Sequence, residues 1–137
     1  MGIDIGTQGT KAIIISEQGK LVSTGYREYA VETPKATWAQ QHPDIWVKAV
    51  CETMKETMAK SDLKPQEIAA IGISGLYGGS GIPVDKQHEP IYPCLIWMDR
   101  RAKKQTEWVK QHIDENELFK ITGNSVDSYF GFTKMMW

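Results

Sequence analysis

A chain of 137 residues, 41% hydrophobic and 24% charged, is long enough for one folded domain with a buried core, and its composition is that of an ordinary globular protein. Sixteen basic and seventeen acidic side chains leave a formal charge of −1, which argues against a polyanion-binding surface and hence against nucleic acid as a partner. The longest apolar runs span only a few residues, which leaves no signal peptide or membrane span. The two cysteines, Cys51 and Cys94, make neither a disulfide framework nor a zinc pattern and are expected as buried thiols of a reducing, cytoplasmic compartment.

The chain opens with a strand over residues 2 to 5, a tight turn of glycines and hydroxyl residues, and a second strand over 11 to 16. Glu17-Gln18-Gly19-Lys20 turns it into a third strand over 21 to 29, where polar and apolar residues roughly alternate. Pro34 ends this region, and a loop runs through Trp38 and Gln40. Pro43 suits a first helical position and Asp44 the positive helix N-terminus. With Trp46, Ala49, Val50, Thr53, Met54 and Met58 at helical spacing, they predict a helix over 43 to 60. Residues 69 to 74 read as a buried strand with 81 to 84 as its neighbour, 85 to 88 as a turn, and 94 to 97 as a further strand. A helix is expected from Arg100 to about His112. Asp114 with Glu117 then caps a short helix ending at Gly123, and residues 133 to 137 begin another. Strands first, then helix and strand in alternation, imply an α/β domain with a mixed sheet, without repeats or linkers.

The opening hairpin carries the clearest chemistry. Glycines let backbone N–H groups converge on an anion, Thr7 and Thr10 add hydroxyl donors, and Asp4, alternating with Ile3 and Ile5, is placed to hold a metal ion that bridges phosphate oxygens. The plain alternative is an ordinary turn rich in Gly and Thr.

The hairpin resembles the first phosphate motif of the sugar kinase, hexokinase, actin and Hsp70 superfamily. Ile71-Gly72-Ile73-Ser74-Gly75, then Ile96-Trp97-Met98-Asp99-Arg100-Arg101-Ala102, then Thr122-Gly123-Asn124 ahead of Lys134 and Trp137, follow in the order seen in the N-terminal domain of FGGY-family carbohydrate kinases. The resemblance spans nearly the whole chain. It implies an α/β, ribonuclease-H-like fold with a mixed sheet and flanking helices, truncated. Residues 1 to 137 are then a fragment holding the sugar- and phosphate-binding half of the N-terminal domain, with the nucleotide domain and the catalytic base aspartate beyond Trp137.

The same resemblance implies ATP and Mg²⁺ as cofactors, a sugar or polyol as substrate, no nucleic acid or membrane partner, and a homodimer as an option for the full-length protein. Thr7, Gln8, Gly9, Thr10 and Lys11 are expected against the ATP phosphates, with Asp4 on the metal and a solvated strand-end lysine as the alternative for Lys11. At the acceptor it places Tyr77, Gly78, Trp97, Asp99 and Tyr129, with an N-cap role as the alternative for Asp99. The pattern breaks at Leu76-Tyr77-Gly78, where xylulokinases typically carry Gln-Met-His and glycerol kinases Gln-Arg-Glu. There Tyr77 either meets the sugar or packs on the surface of a glycine-rich turn. Arg100 and Arg101 are expected as structural ion-pair donors, and His42, His88 and His112 carry no role. A nuclease of the same fold and a non-catalytic sugar-binding remnant are the competing readings.

Overall fold

Short β-branched and apolar segments separated by glycine-bearing turns form three antiparallel strands, and in the computed structural model of the chain they are the body of a four-stranded sheet. Residues 1–75 and 79–137 are described; Leu76, Tyr77 and Gly78, and with them the expected acceptor contacts of Tyr77 and Gly78, lie outside the described residues. In chain order the strands are β1 Gly2–Ile5, β2 Gly9–Ile15, β3 Leu21–Glu28, β4 Gln40–Gln41, β5 Gly72–Ser74 and β6 Cys94–Leu95. The helices are α1 Pro43–Ala59, α2 Lys103–His112, α3 Glu115–Thr122 and α4 Gly131–Met136. They divide between two units, Met1–Val31 with His42–Leu76, and Glu32–Gln41 with Tyr77–Trp137.

In the first unit the sheet runs β3-β2-β1-β5, with β1 to β3 antiparallel and β5 parallel to β1, so the sheet is mixed as the sequence predicts. Register decides which residues share a face. Asp4 lies opposite Lys11, Lys11 opposite Tyr26, and Asp4 beside Ser74, so these four make one row across all four strands. The pleat sends their neighbours Ile3, Ala12 and Gly25 to the other face, which α1 covers.

Helix α1 starts where expected: His42 accepts the Asp44 N–H through its side chain, and Pro43 occupies the first turn. Its buried stripe is Ala49, Thr53 and Thr57 at four-residue spacing, small enough for the helix to settle directly onto the sheet. A Cβ on Gly25 would stand 2.9 Å from the Thr53 carbonyl oxygen, so glycine is required there. Ser23 donates its hydroxyl to the Thr57 carbonyl at 2.8 Å, and Arg27 pairs with Glu52 and Glu56 at the helix rim. Cys51, expected buried, is exposed, because its side of α1 points away from the sheet, whereas Cys94 is buried as expected. The strand expected over 69 to 74 shortens to β5 and is exposed along its length, since it closes one edge of the sheet.

The second unit pairs β4 with β6 antiparallel; β4 reads as loop in the sequence, and the strand expected over 94 to 97 shortens to Cys94–Leu95. Residues 81 to 84 are not a strand. Val84 forms a single bridge to Pro90 around a turn in which the Asp85 carboxylate accepts the N–H groups of Gln87 and Glu89. Helix α2 begins at Lys103 rather than Arg100, with Ala102 as its N-cap. Helix α3 is capped as predicted, Asp114 accepting the N–H groups of Asn116 and Glu117 and Gly123 closing it at φ 68°. Among the described residues of this unit, Ala39, Cys94, Leu95, Ile96, Ala102, Val109 and Val126 are the buried apolar ones. Among the described residues no helix is long and apolar enough to cross a membrane.

Candidate phosphate and acceptor sites

The β1–β2 turn is shaped from behind by β3 and the residue after it. Within the turn the Gly6 N–H donates to the Gly9 carbonyl at 3.0 Å. The Tyr29 hydroxyl donates to the Gly6 carbonyl at 2.7 Å, and the Tyr29 N–H to the Gln8 carbonyl at 3.1 Å. The carbonyl oxygens of Gly6, Gln8 and Gly9, which would repel an anion, are therefore satisfied internally.

Two of the expected roles change here. Thr10 is 0% exposed and its hydroxyl lies 3.1 Å from the Tyr29 phenol, so it does not face a ligand. As an alternate residue of β2 it belongs to the face under α1, and its hydroxyl must find a partner inside the protein. Gly9 is glycine because β3 crosses close over it: a Cβ there would stand 2.6 Å from the Arg27 carbonyl oxygen. Neither Gly6 nor Gly9 adopts the left-handed backbone of an anion nest. Thr7 is half-buried and Gln8 exposed at the tip.

Asp4 and Lys11 are both exposed and directly opposite on the uncovered sheet face, with Ser74 and Tyr26 completing their row. Solvent on that face, rather than an internal partner, is what lets a carboxylate sit between Ile3 and Ile5. Asp4, Lys11, Ser74, Gly2, Ile13 and Gly72 help line a concavity of about 420 Å³. Among the described residues no group of three or more His, Cys, Asp or Glu side chains could hold a metal ion alone. Mg²⁺ needs no such cage, because it binds through one or two carboxylates together with the phosphates of a nucleotide. One carboxylate beside an ammonium group and a hydroxyl is compatible with that donor set, in which Asp4 would hold the metal and Lys11 would meet the phosphate charge.

In the second unit Trp97 and Tyr129 come together, with ring centroids 6.1 Å apart. The Asp127 carboxylate accepts the Tyr129 N–H at 2.6 Å and pairs with Arg100 at 2.9 Å, and the Arg100 guanidinium carbon lies 5.5 Å from the Tyr129 ring centroid. Lys134, 2% exposed, donates from Nζ to the Tyr129 carbonyl at 2.6 Å. Burial pulls its pKa down from 10.5 to about 8.

Asp99 is the clearest correction. It is 0% exposed, accepting the Ala39 N–H at 2.7 Å, the Arg101 N–H at 2.9 Å and the Arg101 Nε at 2.7 Å. Arg101 also reaches Gln40 at 2.8 Å and lies 3.7 Å from the Trp38 ring centroid. Both Asp99 oxygens are thus engaged, Oδ2 joining the Trp97 turn to the segment entering β4 and Oδ1 closing that turn on the Arg101 N–H. The carboxylate neither faces an acceptor nor caps α2. The ion-pair roles expected of Arg100 and Arg101 hold. Sequence reasoning passed over Tyr29, Ser74 and Asp127. Tyr29 carried a local signal, a tyrosine at the end of the strand that backs the turn, while the other two depend on register and loop closure.

The profile of the FGGY family of carbohydrate kinases, N-terminal domain, matches residues 1–137. A xylulose kinase of Lactococcus lactis subsp. lactis is 31% identical over 137 residues, and a glycerol kinase of Halothermothrix orenii 33% over 138, each alignment covering 100% of this chain. The crystal structure of a ligand-bound xylulose kinase from Lactobacillus acidophilus superimposes with a TM-score of 0.90 at 26% identity, covering 99% of this chain and 27% of that one. The chain spans 27% of the length of the Lactococcus protein and 28% of that of the Halothermothrix protein. Family membership also sets aside the nuclease alternative. From the strand that carries Asp4 to the helix that follows Tyr129, the sequence matches the N-terminal domain of the FGGY family of carbohydrate kinases along its whole length, and the chain belongs to that family.

Proposed function

We propose that the gene product carrying these residues transfers the γ-phosphoryl group of ATP, with Mg²⁺, to a hydroxyl of a sugar or polyol. The observation that carries this reading is the exposed Asp4–Lys11 pair beside a turn whose Gly6, Gln8 and Gly9 carbonyls are engaged, in a chain that matches a carbohydrate kinase domain throughout. ATP and Mg²⁺ supply the phosphoryl group and the divalent charge that neutralises it. Lys11 and the exposed sides of Thr7 and Gln8 bind the phosphates, and Asp4 holds the metal directly or through water. Trp97 and Tyr129 provide an aromatic wall for the acceptor, to which the sequence adds Tyr77 and Gly78.

Phosphoryl transfer is catalysed almost wholly by positioning and charge stabilisation, and no base in this chain is assigned to the acceptor hydroxyl. The 137-residue chain alone is therefore expected to be inactive, and the complete gene product active. A coupled ADP-release assay over pentuloses, hexuloses and polyols tests both statements. Acceptor-dependent turnover by the short chain at about 1 to 100 per second would show the chemistry misplaced. Failure of every sugar and polyol with the complete product would overturn the reading itself.

A further inference from the structure

Tyr29 follows β3 and touches the β1–β2 turn at three points. Its hydroxyl donates to the Gly6 carbonyl at 2.7 Å and lies 3.1 Å from Thr10 Oγ1, while its N–H donates to the Gln8 carbonyl at 3.1 Å. A phenol has one hydrogen to give. With that hydrogen on Gly6, Tyr29 accepts from Thr10, and a directed chain runs Thr10 to Tyr29 to Gly6. Thr10 is fully buried, so its hydroxyl depends on this partner. Desolvation raises the Tyr29 pKa, which keeps the phenol protonated and donating. The neighbouring Tyr26 reaches the Gln8 carbonyl only at 3.4 Å and is exposed.

A turn that begins and ends on glycine has little side-chain bulk to hold its shape, and a loose turn must pay ordering entropy when a ligand binds. We propose that Tyr29 is a positioning residue for phosphate binding, holding the Gly6–Gly9 turn from behind in the shape that receives the nucleotide. The inference rests on the phosphate reading of the hairpin and adds to it a residue on the covered side of the turn. Thr10 then acts through Tyr29 rather than on the ligand.

Tyr29→Phe keeps the ring and removes only the hydroxyl. In the 137-residue chain, amide hydrogen exchange at Gly6 through Gly9 is expected to quicken by about three- to tenfold, one hydrogen bond's worth, while amides of Ile3 and Ala12 keep their rates. In the complete gene product the KM for ATP should rise by about the same factor with the sugar KM unchanged. Thr10→Val should reproduce both effects, and the double variant should add little to either single one. A folded Tyr29→Phe chain with native exchange at the turn overturns the proposal, as does an equal rise in both KM values. Lys11→Met separates the two layers. If it raises the ATP KM and Tyr29→Phe does not, the positioning role fails while the phosphate site stands; if neither variant changes the ATP KM, both fall together.

Discussion

Lys134 Nζ lies 2.6 Å from the Tyr129 carbonyl oxygen, and the lysine that reaches it is almost wholly enclosed. A buried ammonium group is costly unless hydrogen-bonded, and this bond ties the start of α4 to the residue whose ring faces Trp97. The same burial makes Lys134 a source of pH-dependent stability.

The sign follows from proton counts. The folded pKa of about 8 lies below the ordinary 10.5, so between these values the unfolded chain binds more protons and stability from this group rises with pH. Below about pH 8 the charge is carried in both states and the cost of burying it is fully present. The stability of the native chain relative to Lys134→Met should therefore improve as pH is raised from about 8 toward 10.5, and stay flat from pH 6 to 7.5. Paired urea titrations of the two proteins measure the difference, which a flat profile throughout would contradict.

Asp99→Asn removes the charge opposite a guanidinium whose side chain is 1% exposed. Breaking a buried pair from one side leaves the other charge uncompensated, at a cost of about 3 to 5 kcal/mol. Thermal unfolding should show this as a large drop in Tm. A change near that of a surface substitution, within about 0.5 kcal/mol, would mean that water reaches Arg101.

Gly25→Ala and Gly72→Ala form a matched pair within one sheet. The first places a methyl group 2.9 Å from the Thr53 carbonyl oxygen under α1, and the second meets nothing within 4 Å. Overpacking at position 25 should cost about 1 to 3 kcal/mol, against about 0.5 kcal/mol or less at 72. Equal denaturation midpoints would show that α1 does not sit as closely on β3 as described.

Asp4→Asn tests the metal assignment apart from folding. The residue is exposed, so stability should change by no more than about 0.5 kcal/mol, whereas activity of the complete gene product should fall by orders of magnitude. Full activity with native Mg²⁺ dependence would remove Asp4 from the site, and a large loss of stability would make it a structural residue.

The hairpin, the third strand, α1 and the capped α3 were legible in the sequence because each rests on signals within a few residues of itself. These are a turn rich in Gly and Thr between two apolar segments, alternation along 21 to 29, Pro43 and Asp44 at a helix start, and Asp114 and Gly123 at the two ends of a short helix. The family resemblance was equally readable, since its motifs are local and ordered. Tertiary structure decided what the polar residues do. Asp99 is 60 positions from the Ala39 N–H it binds, and its sequence neighbourhood cannot say whether a carboxylate after a tryptophan faces solvent or an arginine. Thr10 and Lys11 are adjacent in the chain, yet one is enclosed beneath α1 and the other exposed beside Asp4, because the pleat alternates faces and only the packing of α1 fixes which face is covered. The ribbon of β4 with β6 and the exposed edge at β5 likewise exist only as pairings between distant segments, for which residues two or three long carry no periodic signal.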